Sequence, residues 1–92
     1  MFRISKEFHF SASHRLEHLP ADHQCARLHG HNYVVVVELA APDLNADGFV
    51  RDYHELAPLK AYLDGSFDHR HLNEVLDVPS TAENLARHLF DW

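Results

Sequence analysis

The alternation at the start of the chain constrains its fold most. Even positions carry Phe2, Ile4, Lys6, Phe8, Phe10 and Ala12, while odd positions carry Arg3, Ser5, Glu7, His9 and Ser11. A period of two belongs to a half-buried strand, and His14 continues the even, inward parity. A second strand is predicted over residues 29–39, where the run Tyr33-Val34-Val35-Val36-Val37 reads as buried on both faces or nearly so. Residues 17–28, with Pro20, Ala21, Asp22 and His23, hold no sustained period and predict a loop.

Asn45, Asp47 and Gly48 supply turn formers after the second strand. A helix carrying Leu56, Leu59 and Leu63 follows, either capped by Asp52 or starting at Pro58, which cannot donate a bond in a second turn. Ser80-Thr81-Ala82-Glu83 has the capping-box pattern, with Ser80 as the cap and Ala82, Leu85, Ala86 and Leu89 as the apolar stripe of a second helix. With 92 residues, the chain is expected to form a single domain over 1–92. Chains of this size bury only about 60 to 65 % of their unfolded surface, so a metal or neighbouring subunits are expected to add stability.

The net charge of −6 and the scattering of eight Lys and Arg give no electrostatic footprint for nucleic acid or an anionic membrane. No apolar stretch is long enough to span a bilayer and the amino terminus alternates, so a cytoplasmic protein is expected. One cysteine excludes an internal disulfide, leaving Cys25 as a small buried hydrophobe, a metal ligand or a reactive thiol. Ten histidines are the anomaly in this composition.

Strand residues i and i+2 share a face about 6.5 to 7 Å apart, so His29 and His31 can aim both imidazoles at one point. His14 completes a set of three if the two strands pair antiparallel. Three neutral imidazoles with an open fourth position describe a catalytic zinc site better than a structural one, and they also admit cobalt, nickel or iron. The alternative is a strand entry whose histidines are simply hydrogen-bonded in the core. Cys25 lies four residues before His29. A thiol beside a metal or a cationic imidazole loses its proton more readily, which makes Cys25 a candidate general base or a fourth ligand. Asp68 and His69 put a carboxylate next to an imidazole; adjacent residues face each other only across a turn, and a polar helix cap is the other reading. His71 and Asn73 read equally as caps, and His9, His18, His23, His54 and His88 as solvated surface residues.

Phe10-Ser11-Ala12-Ser13-His14-Arg15-Leu16, then Cys25 through Tyr33, then Asp68-His69 and Ser80-Thr81-Ala82-Glu83-Asn84, in this order, closely resemble the 6-pyruvoyltetrahydropterin and 6-carboxytetrahydropterin synthase family. The resemblance implies an α+β T-fold, an antiparallel sheet with two helices packed on one face. It implies zinc held by His14, His29 and His31, proton transfer by Cys25, Asp68 and His69, and Thr81 near the pterin. The interval from Cys25 to His29 is similar to that of the carboxy branch. That branch would turn 7,8-dihydroneopterin triphosphate into 6-carboxy-5,6,7,8-tetrahydropterin, acetaldehyde and triphosphate, on the route to queuosine. The alternatives are the pyruvoyl reaction and a non-catalytic zinc- or pterin-binding subunit. The resemblance further implies a homo-oligomer, a hexamer by family, with active sites at subunit interfaces. Family members continue into two more strands bearing a pterin-gripping glutamate, so a C-terminally incomplete domain, or a partner supplying those strands, is expected.

Overall fold

The computed structural model describes residues 1–92. Strand β1, Phe2–His14, pairs antiparallel with β2, His29–Ala41, over its whole length. Helix α1 spans Ala57–Ser66, a two-residue strand β3 spans Arg70–His71, a single turn α2 spans Leu72–Val75, and α3 spans Ala82–Asp91. The sheet order is β2-β1-β3, and β3 runs parallel to β1 through Ala12 and Ser13. The sheet is therefore mixed. Two residues of pairing between helices carry no periodicity that a sequence could announce. No helix is long and apolar enough to cross a membrane.

The alternation of β1 translates directly into burial: Phe8, Phe10, Ala12 and His14 are buried while His9 is exposed. The second strand departs from expectation. Val35 and Val37 pack on the core, but Val34 and Val36 are 55 % and 58 % exposed, so β2 is buried on one face only. A β-branched run reports a fit to the pleated sheet, and it cannot report whether a second layer covers the other face. Both readings of the first helix hold in part. Asp52 caps a 3-10 turn over Tyr53–Leu56, accepting from the His54 amide at 2.9 Å, and α1 then begins with Pro58 in its first turn.

Phe8, Phe10 and Ala12 of β1 meet Leu63, Phe67, Leu72, Leu76 and Leu85 in one core. Phe10 lies between Tyr33 and Phe67, with ring centroids 4.8 and 5.7 Å away. The core is small, because only ten residues are buried. The radius of gyration is 16.1 Å, whereas a compact domain of this length has about 12 Å, because the hairpin outruns the helices. Phe67 has no exposed surface and its ring packs against Phe10 of β1 and Tyr62 of α1. Phe67→Ala is expected to destabilise the fold by about 3 to 5 kcal/mol, the usual range for emptying such a site. Urea denaturation checks this, and a loss under about 1 kcal/mol would show that the core repacks freely around it.

Candidate metal centre

The β1–β2 register places His14 opposite His29 and Ala12 opposite His31. With inward parity on both strands, three imidazoles converge at the end of the hairpin where the 15–28 segment connects its strands. Ring centroids are 4.5 Å apart for His14 and His29, 5.1 Å for His14 and His31, and 4.8 Å for His29 and His31. One potential ligand atom from each comes within 4.8 Å of the others. His14 is buried, His29 half-buried and His31 exposed, so the cluster opens toward solvent on the β2 side. A cleft of about 640 Å³ adjoins it, lined by Ser11, Ser13, Asn32, His31, His69 and Arg70 among others.

Hydrogen bonds settle which nitrogens are free. His14 Nδ1 lies 2.8 Å from the Ser80 carbonyl oxygen, and His29 Nδ1 lies 2.7 Å from that of Arg27. A carbonyl only accepts, so each Nδ1 carries the proton and each neutral ring keeps a bare Nε2 lone pair. His14 Nε2 is buried without a partner. An orphaned buried polar atom costs about 1 to 3 kcal/mol. A divalent cation facing the three rings would satisfy it, and imidazoles anchored through Nδ1–H are the usual way proteins orient such ligands. The donor set therefore fits a metal. Burial first, then the nearby His29, His31 and His71, push the His14 imidazole below its usual pKa against the opposing pull of the Ser80 carbonyl. Its neutral, ligating form is favoured.

Cys25 sits half-buried on a 3-10 turn, Gln24–Ala26. Its amide donates to His23 Nδ1 at 3.0 Å and its carbonyl accepts from the Leu16 amide at 2.8 Å, tying the loop to the chain just past His14. The thiol lies outside the cluster of donor atoms, so the expected place as fourth ligand is not taken. Asp68 and His69 do form a pair, and the turn they require is present: His69 has φ 58°. Such a left-handed residue costs about 1 to 2 kcal/mol. It is held because Asp68 accepts from the Ser11 amide through Oδ1 and from His69 Nδ1 through Oδ2, both at 2.9 Å. The His69 amide donates in turn to the Ser11 carbonyl at 2.6 Å. The Ser11 amide chiefly, and His69 next, hold the Asp68 carboxyl below its ordinary range. The His69 ring is largely exposed. No hydrogen bond joins Cys25 to this pair.

The predicted capping box shifts by one residue. Thr81, not Ser80, caps α3, accepting from the Asn84 amide at 3.2 Å. Ser80 is buried and turned toward His14, which takes both its carbonyl and its hydroxyl. Two adjacent hydroxyl residues offer the same local cap, and only tertiary contact chooses between them. His88 is likewise not a solvated residue: it is half-buried and bonds the Tyr62 hydroxyl at 2.7 Å. His71 meets Ser13 Oγ at 3.0 Å, and Asn73 clamps the Arg15 backbone instead of capping a helix.

The structure is that of an α+β protein whose hairpin gathers three imidazoles that could hold a metal ion. Residues 3–92 match the model of the 6-pyruvoyl tetrahydropterin synthase family, and the chain belongs to that family. It is 31 % identical to the 6-carboxy-5,6,7,8-tetrahydropterin synthase of Bacillus subtilis, over 98 % of this chain and 64 % of that protein. It is 36 % identical to the human 6-pyruvoyl tetrahydrobiopterin synthase, over 97 % of this chain and 72 % of that protein. The structure of Caenorhabditis elegans 6-pyruvoyl tetrahydropterin synthase superposes with a TM-score of 0.83 at 30 % identity, over 98 % of this chain and 74 % of that one. The chain thus spans about two thirds of the length of relatives such as those from Archaeoglobus fulgidus and Bacillus subtilis.

The depressed Asp68 carboxyl gives a pH signature. A carboxylate with a native pKa below its unfolded value of 3.8 stabilises the fold above that pH, and the gain disappears as pH falls through the native value. Asp68→Asn should therefore melt below the wild type between about pH 5 and 7, with the gap closing toward about pH 3. A gap independent of pH in thermal melts would contradict the ionised Asp68.

Proposed function

We propose that this chain is a zinc-dependent lyase that converts 7,8-dihydroneopterin triphosphate and water to 6-carboxy-5,6,7,8-tetrahydropterin, acetaldehyde and triphosphate, a step toward queuosine. The observation carrying the proposal is the convergence of His14, His29 and His31 with an orphaned His14 Nε2. The family match and the four-residue interval from Cys25 to His29 direct it to the pterin chemistry of the carboxy branch. Zinc, when bound by the three imidazoles, supplies Lewis acidity that makes side-chain hydroxyls of the substrate easier to deprotonate.

This chain's own groups do the rest. Cys25, in the loop beside the imidazole cluster, takes a proton from the substrate side chain. His69, fixed by the Asp68 carboxylate, is a second proton carrier with an exposed ring. We place the meeting of Cys25 with the Asp68–His69 pair at a subunit interface of a homo-oligomer. The exposed Val34 and Val36 on the outer face of β2 and the small core support assembly. Thr81, one residue from the His14 partner Ser80, is proposed to approach the pterin.

The human pyruvoyl relative, 36 % identical, falls within the 31 to 37 % range of the carboxy relatives, so the pyruvoyl reaction is the second reading. Purified protein incubated with dihydroneopterin triphosphate separates the two, since only the carboxy route releases acetaldehyde. Cys25→Ala should slow turnover by about 100-fold or more while leaving metal content unchanged, and His29→Ala should lose the metal itself. Pyruvoyl product without acetaldehyde selects the second reading. Tight pterin binding without any turnover would make the chain a non-catalytic subunit.

A further inference from the structure

A directed chain of hydrogen bonds leads from His14 into the protein. Asn73 Oδ1 accepts from the Arg15 amide at 3.0 Å and Asn73 Nδ2 donates to the Arg15 carbonyl at 2.8 Å. A backbone amide only donates and a carbonyl only accepts, so this two-point clamp fixes which end of the Asn73 side chain is oxygen. That oxygen lies 3.2 Å from Ser80 Oγ. An amide oxygen cannot donate, so the Ser80 hydroxyl must give its proton to Asn73. Its oxygen then faces His14 Nδ1, 3.1 Å away, with lone pairs alone. The Ser80 carbonyl accepts from the same Nδ1 at 2.8 Å. Every group behind His14 is thus an acceptor toward it, in a site where His14 and Ser80 are both buried.

We infer that Asn73 and Ser80 are positioning residues that lock His14 in its Nδ1–H tautomer and hold its Nε2 lone pair ready for the metal. The inference rests on the metal-site reading proposed above. A reversed tautomer would put a proton on Nε2 and leave Nδ1 facing two acceptors with nothing to donate, so the lock is electrostatic as well as steric. The clamp has a second effect. Arg15 follows His14 directly, so Asn73 also fixes the backbone where β1 ends and pins α2 to the same point. His14 is the ligand with the most elaborate support: His29 has a single carbonyl partner.

The test uses the full chain carrying Asn73→Ala, Asn73→Asp, Ser80→Ala and the double Ala variant. Nitrogen-15 NMR of metal-free protein reads the His14 tautomer, and zinc titration reads affinity. Wild-type His14 should show a protonated Nδ1 and a bare Nε2. Asn73→Ala and Ser80→Ala leave the Ser80 carbonyl alone to hold the Nδ1 proton, so each should raise the share of the reversed tautomer and weaken zinc binding about 10- to 100-fold, the usual cost of removing a partner behind a metal-bound histidine. The double variant should cost no more than the worse single one, because both break one chain. Asn73→Asp keeps the acceptor toward Ser80 and should keep the Nδ1–H tautomer, as a merely space-filling role would not require. Unchanged zinc affinity and tautomer in folded Asn73→Ala and Ser80→Ala overturn the inference. A wild type that binds no zinc overturns the metal reading instead, while the tautomer measurement still judges the lock.

Discussion

The pairing register of the hairpin is the constraint on which everything else depends. Side chains alternate along a strand, so a slip of one residue would move the whole inward set to the opposite face. With His14 opposite His29 and Ala12 opposite His31, the same alternation that buries Phe8 and Phe10 gathers three imidazoles at the loop end of the hairpin. The core and the candidate metal centre are thus one decision. Phe10 stacked on Tyr33 and Phe67 resists a slip that would also scatter the histidines.

The helices complete this arrangement by closing on the end of β1. Helix α1 delivers Phe67 to the core and then turns sharply, so that Asp68 and His69 dock on Ser11 at the β3 edge. The following segment supplies Asn73 and Ser80 behind His14. One short stretch of β1, from Ser11 to Arg15, therefore receives both the carboxylate–imidazole pair and the support of the buried ligand. The cleft beside this stretch is lined mostly by polar side chains, Ser11, Ser13, Asn32 and His69 among them.

Both long strands, the two main helices and the three histidines were legible in the sequence, because each is written as a period or a short local spacing. What was not legible depends on contacts across the chain. The capping pattern at Ser80 and Thr81 is locally ambiguous, and His14 resolves it by claiming Ser80. His88 looks like any surface histidine until Tyr62 of α1 reaches it. Asn73 reads as a cap, although it works as a backbone clamp on a residue 58 positions away. The exposure of Val34 and Val36 was also hidden, since a β-branched run is the same whether or not another layer covers it.

The most direct measurement is a crystal structure of the zinc-loaded protein with anomalous data collected at the zinc edge. The register-built site predicts one strong peak among the three rings, about 2.0 to 2.1 Å from the Nε2 atoms of His14 and His29 and from one ring nitrogen of His31, with the fourth position open to solvent or substrate. A peak elsewhere, or one bound by fewer than these three imidazoles, would contradict the account.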